Sequence, residues 1–327
     1  MSGRPPVTDA RARRGSAVTW VEELRAREAV FRRAPSAHNT QPWVLGYGAD
    51  AVHVGADPAR SLPDSDPTGR DLELGLGAFV ETCLIVAADA GLPVTAVPAG
   101  PAAVRLVAAD ATYPTPFTAA DVEARRVARG AYAPGALPAA VLAGLEQGLV
   151  HLRARDLTAD LVAADRWLFG TPAVARELHG WLRLHPRHPR YALDGLSDRA
   201  LELSRFEARF LGGALRSHRI TRRLGLPALL AAAGRGLLRY DGSVLVLVRT
   251  DGESRLDAGR RLMRTWLALA RHDLAVHPVS QLLDCPTTAA RLRDRVGAHR
   301  EGAEPLAVFR VGRPCTAPVR SARLPAG

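Results

Sequence analysis

One short stretch of the sequence combines the side chains that a flat, polar ligand would need. Between Ala34 and Trp43, a hydroxyl, an imidazole and two carboxamides fall within six residues, those of Ser36, His38, Asn39 and Gln41. These groups are neutral hydrogen-bond donors and acceptors, which can recognise the edge of a heterocyclic ring. The composition makes this stretch unusual, because Asn39 is the only asparagine in the chain and lysine is absent. A plain polar turn ahead of a strand is the alternative interpretation.

Two groups of arginines could bind an anion. The first is the run Arg125–Arg129, in which Arg126 and Arg129 are the candidate ligands, and the second is the pair Arg320 and Arg323 near the C-terminus. Guanidinium groups bind phosphates through charge-assisted and often bidentate hydrogen bonds. The alternatives are a solvated helix face for the first group and a disordered basic tail for the second.

Other chemistries have weaker support in the sequence. Ser36 and His38 are close, but no Gly-x-Ser-x-Gly turn exists that would expose a nucleophile. No Gly-x-Gly-x-x-Gly motif opens a helix after a strand, so a Rossmann domain is not indicated. His185 and His188 could ligate zinc, but prolines interrupt the helix that would align them and no acidic or thiol partner stands at ligand spacing. The sequence therefore predicts no metal site and no obligatory catalytic side chain.

The elements around the polar loop must hold it in place. A helix is predicted over Val18–Arg33, with Thr19 as its N-cap and inward positions at Leu24, Ala29 and Val30. Pro35 ends this helix, and together with Pro42 it restricts the backbone, so the loop should be stiff. Trp43–Leu45 and Ala51–Val54 follow as a predicted hairpin that turns at Gly46 and Gly48.

The rest of the first half follows the order loop, helix, strand. Residues 57–69 are rich in Pro and Asp and predict a loop. Apolar residues at helical spacing predict a helix over Asp71–Ala90, which Gly91 ends. A strand is predicted at Val104–Val107. The inward positions of the helix are Leu72, Leu76, Phe79, Val80, Cys83, Leu84 and Ala87.

The second half repeats this order. Val244–Val248 reads as the most buried strand, and a polar loop is predicted over Arg249–Asp257. The stretch Gly259–Leu274 matches Gly77–Leu92 in length, first glycine and last leucine, and a strand is predicted later at Ala307–Val311. Two such units indicate an internal duplication, although two amphipathic helices could match this well by coincidence. The arginine-rich segment 165–239 has no counterpart in the first half.

Composition limits the class of protein. The chain has 327 residues, 47% of them hydrophobic and 24% charged, which is typical of a globular protein with a large core. Its three cysteines form no Cys-x-x-Cys pair, and residues 1–15 lack the apolar stretch of a signal peptide, so we expect a cytoplasmic protein. The net charge of +11 comes from arginines spread along the chain. With 5% aromatic residues and no apolar run of about 18 residues, neither a nucleic acid nor a membrane is an expected partner.

The loop also resembles a known motif. Residues 35–43 read Pro-Ser-x-x-Asn-x-Gln-Pro-Trp, which resembles the flavin-binding signature of the nitroreductase superfamily. With His before Asn and Thr after it, the motif is most similar to the Acg-type branch, whose members carry two fused nitroreductase-like halves. The resemblance implies a duplicated α+β fold, with a mobile leader at residues 1–16, a first half at 17–115 and a second half at 116–327. It also implies that the insertion at about 165–239 is a helical lid over the flavin.

The resemblance further implies the residues that bind flavin mononucleotide (FMN). Ser36, His38, Asn39 and Gln41 would face the ring, and Pro278, Val279, Ser280 and Gln281 would supply groups near N5 and O4. Arg126, Arg129, Arg320 and Arg323 would bind the phosphate. Val127 and Ala128 depart from the branch, which has Thr and Asn there, and His277 replaces a serine and could face the substrate.

The resemblance implies a function of one of two kinds. The first is an FMN-dependent oxidoreductase that passes hydride through flavin N5 to or from a small organic molecule, with NADH or NADPH as the candidate donor. The second is a flavin-sequestering protein without turnover, and a biosynthetic oxidase or desaturase also stays open. The site would lie between the halves of a monomer that mimics the dimer of single-half relatives, and further dimerisation is compatible with this. We expect one flavin per chain, because the first half lacks an Arg-Arg-x-x-Arg motif ahead of its loop.

Overall fold

The computed structural model describes residues 18–216, 225–299 and 302–327. The predicted leader at residues 1–16 lies outside these ranges. The described helices are α1 (Trp20–Arg25), α2 (Glu28–Phe31), α3 (Arg70–Asp89), α4 (Ala119–Ala124), α5 (Ala139–Ala143), α6 (Thr158–Gly170), α7 (Pro172–Trp181), α8 (Arg205–Arg216), α9 (Leu226–Ala233), α10 (Arg255–Ala270), α11 (Gln281–Asp284) and α12 (Pro286–Gly297). The strands are β1 (Trp43–Tyr47), β2 (Ala51–Ala56), β3 (Val94–Gly100), β4 (Ala103–Ala108), β5 (Leu149–Arg153), β6 (Leu182–Arg183), β7 (Leu196–Ser197), β8 (Ser243–Val248), β9 (Ala275–Pro278) and β10 (Pro305–Gly312). The predicted α+β class is confirmed.

Two antiparallel sheets share one topology. The first has the strand order β1-β2-β4-β3 and the second has the order β5-β8-β10-β9. When the strands of each sheet are numbered along the chain, both orders read 1-2-4-3. In both sheets the longest helix of the unit, α3 or α10, connects the second strand to the third. The short strands β6 and β7 form a separate parallel pair.

The two long helices cross at a pair of glycines. A Cβ added to Gly77 would lie 1.9 Å from the carbonyl oxygen of Leu256, and one added to Gly259 would lie 2.2 Å from that of Leu74. The contact is reciprocal, because each glycine meets the residue three positions before the other glycine. Small residues thus let the two backbones touch, and the buried faces of α3 and α10 join the cores of the two sheets.

Several sequence expectations need correction at the N-terminal helix. The predicted helix over Val18–Arg33 is divided into α1 and α2, which leaves residues 26 and 27 outside both. Thr19 is the N-cap of α1, as predicted, and it forms a capping box with Glu22. Ala29 is exposed rather than inward, and Val30 is half-buried, because α2 is a separate short turn.

Strands were missed where the sequence lacks alternation. β3 contains Pro98 and has an exposed C-terminal half, and β5 and β9 are only five and four residues long.

Gly46 lies within β1 rather than in the predicted turn, to which Gly48 contributes. The predicted loop over Arg249–Asp257 is shortened, because α10 begins at Arg255 after an N-cap hydrogen bond from Asp257 N–H to Ser254. The strand Val244–Val248 is fully buried, as predicted.

The segment 165–239 consists mainly of helices α6 to α9, apart from residues 217–224, which lie outside the described ranges. In the described part of the chain, no helix is long and apolar enough to cross a membrane.

The glycine crossing generates the first prediction. Gly77→Ala or Gly259→Ala should lower the free energy of unfolding by about 3 kcal/mol or more, because the added methyl meets backbone that cannot move aside. Urea denaturation measures this. Gly213→Ala is the matched control, because Gly213 lies within α8 with nothing within 4 Å of its added Cβ. The control should be neutral or stabilising by up to about 1 kcal/mol, and equal effects at all three positions would contradict close packing at the crossing.

Candidate functional site

A cavity of about 240 Å³ lies between the two sheet units. The polar loop, α3 and residues 62–65 form one side, and residues 125–129, α10, β10 and residues 278–284 form the other. Residues 195–200 of the insertion and 321–323 of the C-terminal segment also reach it. Nine of the twelve predicted binding residues line this cavity: Ser36, His38, Asn39, Arg126, Arg129, Pro278, Ser280, Gln281 and Arg323. Gln41, Val279 and Arg320 do not.

The polar loop has an unusual backbone. His38, Asn39 and Gln41 have φ angles of +46°, +55° and +53°, in the left-handed region that is uncommon for residues other than glycine. Each such residue costs on the order of 1 kcal/mol or more and persists only where surrounding contacts fix it. The Ser36 hydroxyl provides one such contact, because it accepts a hydrogen bond of 2.9 Å from the Gln41 N–H. The predicted stiff loop is therefore found, in a conformation that the prolines alone do not impose.

The two carboxamides of the loop bind other parts of the chain. Asn39 Nδ2 donates to the carbonyl oxygens of Gly195 and Ala322, each at 3.1 Å. Gln41 is fully buried, donates to the Leu193 carbonyl at 2.9 Å and accepts from the Leu324 N–H at 2.8 Å. The loop thus holds the insertion and the C-terminal segment against itself. The expectation that these amides face a ring directly needs correction for Gln41, which does not reach the cavity.

Arg323 also holds the polar loop, and together with Asn39 and Gln41 it forms a clamp on that loop. Its guanidinium donates to the carbonyl oxygens of Arg32, Arg33, Ala34 and Ala322, and to Asn39 Oδ1 at 2.8 Å. These contacts use all five of its N–H groups, so Arg323 positions the loop and has no donor left for an anion. The C-terminal segment is consequently ordered against the loop rather than a free tail.

Arg125, unlike Arg323, has N–H groups without hydrogen-bond partners. It is only 6% exposed and lines the cavity, yet Nε and one terminal nitrogen (Nη1) have no hydrogen-bond partner in the described structure. Nη2 donates to the Arg33 carbonyl at 2.9 Å, and the guanidinium lies 5.7 Å from the centre of the Trp266 ring. Leaving buried donors unpaired costs about 1–3 kcal/mol each, so this side chain is arranged for an acceptor. The sequence analysis did not select Arg125, because adjacent arginines cannot be ranked without knowing which one is buried.

Charge accumulates around Arg125. Its arginine neighbours lie close enough for their charges to lower the pKa of most guanidinium groups in the cluster, and the Glu123 carboxylate partly offsets their charge. These neighbours are Arg33, Arg126, Arg320 and Arg323. Burial and then the neighbouring positive charges lower the pKa of Arg125 to about 9 and that of Arg33 to about 10. Arg320, a predicted ligand, is exposed and pairs with Glu123 at 3.3 Å, outside the cavity wall. This end of the cavity favours a dianion.

The run Arg125–Arg129 is extended rather than helical. α4 ends at Ala124, and Val127 forms a parallel bridge to Val276 of β9, where Ala128 N–H also donates to the Val276 carbonyl at 3.1 Å. The alternative of a solvated helix face is therefore wrong. Arg126 donates to the carbonyl oxygens of Glu123 and Arg125, and Arg129 donates to that of Ala200 in the insertion.

The opposite wall of the cavity is acidic, a feature that sequence analysis missed. Asp71 and Asp284 both line it and share the guanidinium of Arg70, at 2.8 and 2.6 Å. Burial and then the charge of Asp71 raise the pKa of the Asp284 carboxyl. Burial raises the pKa of nearby Asp66 to about 6. No sequence signal links residues 66–71 to Asp284, because only the fold brings them together.

Residues 277–281 take different roles. Pro278, Ser280 and Gln281 line the cavity, while Val279 is fully buried in the second core. Gln281 donates to Asp165 of α6 at 3.2 Å. His277 does not line the cavity, and its Nδ1 accepts a hydrogen bond of 3.1 Å from Arg310, so its contact with a substrate stays a prediction.

Polar contacts also fasten the insertion to the first half. Asp194 is buried and forms ion pairs with Arg60, Arg183 and Arg190. Glu177 accepts hydrogen bonds from the backbone of residues 64 and 65 and from the Ser65 hydroxyl. Together with the contacts of Asn39 and Gln41, these bonds fix residues 193–200 at the cavity. His185 and His188 instead accept bonds from nearby backbone N–H groups through Nδ1.

Comparisons with known proteins agree with part of this picture. No protein-family model matches the chain. Two Mycobacterium tuberculosis proteins, from strains CDC 1551 and H37Rv, each carry the name "Putative NAD(P)H nitroreductase" and are 37% identical to this chain over 59 residues. The match covers 18% of this chain and only 17% of the length of each relative. Over that stretch it supports the predicted resemblance to nitroreductases, and it does not distinguish the Acg-type branch.

The comparison with solved structures gives weaker support than the sequence match. A nitroreductase with bound FMN from Bacteroides fragilis matches 64% of this chain and 94% of its own, with 12% identity and a TM-score of 0.35. A TM-score of this size does not establish a common fold.

His38 generates a prediction about pH. Burial lowers its pKa to about 4, against a weaker opposing effect of Asp71. The unfolded chain therefore takes up a proton below about pH 6.5 that the folded chain refuses, so stability falls as the pH drops from 7 towards 4. His38→Asn should remove up to about 3 kcal/mol of this pH dependence of unfolding. The exposed His53 provides the control variant His53→Asn, and identical pH profiles for both variants would contradict a His38 that stays neutral in the folded chain below pH 6.5.

Proposed function

We propose that this protein is an FMN-dependent oxidoreductase related to the nitroreductases, with the cofactor in the cavity between its two sheet units. The two unpaired nitrogens of the buried Arg125 guanidinium in the cavity wall are the observation that carries the proposal. The 59-residue likeness to the two mycobacterial relatives supports the same class. The small organic substrate and the use of NADH or NADPH belong to the proposal.

The residues present fit a flavin nucleotide in three respects. Arg125 and its cationic neighbours suit a phosphate dianion. Leu74, Trp266 and Phe309 supply an apolar wall for a ring. Ser36, Ser280 and Gln281 supply neutral polar groups beside it. The cavity of about 240 Å³ lies just below the roughly 300–1,000 Å³ of small-molecule sites, so FMN would need an adjustment of the cavity walls on binding.

Each part of the chain has a distinct task in this proposal. Bound FMN would supply the hydride chemistry. Arg125 would hold the phosphate, and the clamp of Asn39, Gln41 and Arg323 would keep the loop in its strained shape. Asp71 and Asp284, which share the Arg70 guanidinium, would place acidic groups on the wall opposite Arg125. The insertion would act as a lid that excludes water from the cavity.

We also infer that the two units arose by duplication, as in the Acg-type branch, and that one of the two related sites has been lost. The shared strand order and the reciprocal glycine contact support this inference. Matching Gly77 with Gly259 places Ala78, which lines the cavity, opposite Arg260 in the other unit. The Arg260 side chain binds Glu81 at 2.9 Å, and Arg264 also binds Glu81, at 3.2 Å. These ion pairs support the inference that the related site has been lost, and the proposal therefore assigns one cofactor to each chain.

Discrimination between FMN and riboflavin tests the proposal. The purified protein should bind one FMN per chain, and Arg125→Met should weaken FMN binding about 10- to 100-fold, because a charge-assisted hydrogen bond contributes about 1.5–3 kcal/mol. Riboflavin has no phosphate, so its affinity should change little. Flavin fluorescence titration measures both.

Arg153→Gln is the matched control, because Arg153 is exposed and pairs with Asp156 away from the cavity. It should leave both affinities unchanged. Equal losses of FMN and riboflavin in Arg125→Met would show that Arg125 acts through folding, and absence of flavin binding in the unaltered protein would end the proposal.

A second candidate function is flavin sequestration without turnover. The number of polar contacts that fasten the insertion over the cavity favours it, because a firmly closed lid would also keep out a nicotinamide. The two candidates differ in whether the lid opens on the timescale of catalysis.

Anaerobic mixing of the FMN-loaded protein with NADH or NADPH separates these functions. We expect the flavin absorbance to bleach, and we expect Glu177→Gln to speed bleaching, because this change weakens three hydrogen bonds that fasten the lid to residues 64 and 65. Stopped-flow absorbance gives the rate. Sequestration is supported instead if dithionite bleaches the flavin while both nucleotides fail with the unaltered protein and succeed with the variant.

A further inference from the structure

The outer face of α8 exposes aromatic side chains to solvent. Phe206 is 79% exposed and Phe210 is 38% exposed, whereas the other five phenylalanines of the chain are buried or half-buried. The two residues are four positions apart, so they form one stripe along the helix. Exposed aromatic pairs of this kind usually mark an interaction surface, because their hydration is unfavourable.

An arginine stripe runs beside the phenylalanine stripe. Arg205, Arg209 and Arg216 follow helical spacing and are all exposed, and none forms an ion pair with another described residue. Glu207, the only acidic residue of the helix, is used at its N-terminus, where it exchanges hydrogen bonds with Ser204. The outer face therefore combines apolar rings with unneutralised guanidinium groups.

The surrounding sequence is strongly basic. Residues 199–239 contain nine arginines and two glutamates. Pairing this face with its copy in a second chain would bring like charges together, which disfavours self-association through it. An anionic surface with an apolar interior is complementary to both stripes.

The inner face of α8 packs on the part of the insertion that reaches the cavity. Leu211 and Leu215 belong to the same apolar cluster as Leu196, which lines the cavity, and Leu182. Packed side chains therefore connect the inner face of α8 to Leu196 at the cavity.

We propose that α8 is an interfacial helix that binds the protein to the surface of an anionic lipid bilayer. Phe206 and Phe210 enter the boundary between headgroups and acyl chains, and Arg205, Arg209 and Arg216 contact the lipid phosphates. Binding at a bilayer surface needs only one helix face and no spanning segment. The proposal is independent of which cofactor fills the cavity.

Vesicle co-sedimentation tests the proposal with the full chain. The protein should sediment with vesicles of equal parts phosphatidylcholine and phosphatidylglycerol at low salt, and not with phosphatidylcholine alone. Phe206→Ser combined with Phe210→Ser should reduce the bound fraction about tenfold or more, and so should Arg205→Gln combined with Arg209→Gln. Adding salt should release the protein.

The matched control combines Val44→Ser with Arg105→Gln, which changes an exposed apolar residue and an exposed arginine of the first sheet. The control should bind vesicles as the unaltered protein does, and circular dichroism and thermal unfolding should show that all variants are folded. Equal binding by the α8 variants and the control would overturn the proposal. So would failure of the unaltered protein to sediment, whether it proves to dimerise through α8 or to bind nucleic acid instead.

Discussion

The contact between α3 and α10 is the constraint on which the rest of the structure depends. Each helix carries the core of one sheet unit, and each allows the other to approach only because glycine stands at the crossing. Leu74, Gly75 and Ala78 on α3 and Leu262 and Trp266 on α10 line the cavity from these same helices. The distance between the two helix axes therefore sets the width of the site, and a larger residue at the crossing would change both stability and binding.

The arginines of the site illustrate how similar residues can serve different ends. Arg323 has every N–H group engaged by the chain itself, whereas Arg125, which is more deeply buried, keeps two nitrogens unpaired. The first arrangement stabilises a strained loop, and the second stores unfavourable free energy that a ligand could recover. Such a site lowers the stability of the folded chain, and well-packed regions elsewhere offset that loss. The fully buried β8 and the α3–α10 crossing are such regions here.

The sequence predicted the parts of this arrangement that depend on local signals. Helical spacing located α3, and the match with it placed a second helix at Gly259–Leu274, which overlaps α10 but lies four residues too late at each end. Thr19 marked the start of α1, and the unusual side chains of residues 36–41 located the loop. Features that depend on tertiary contacts could not be predicted from the sequence. β3 and β5 are held by neighbouring strands rather than by their own pattern, and the burial of Arg125 follows from the bridge between Val127 and Val276. The acidic wall joins Asp71 to Asp284, more than two hundred residues apart.

The clamp on the polar loop also has a consequence for how the protein matures. Gln41 and Asn39, near the start of the chain, are held by residues 322–324 and by the Arg323 guanidinium. During synthesis, the loop can form its bonds to Ser36, Leu193 and Gly195 as soon as those residues have left the ribosome, whereas the bonds to residues 322–324 can form only later. The clamp is therefore completed in stages, and its last bonds join residues that are synthesised far apart in time.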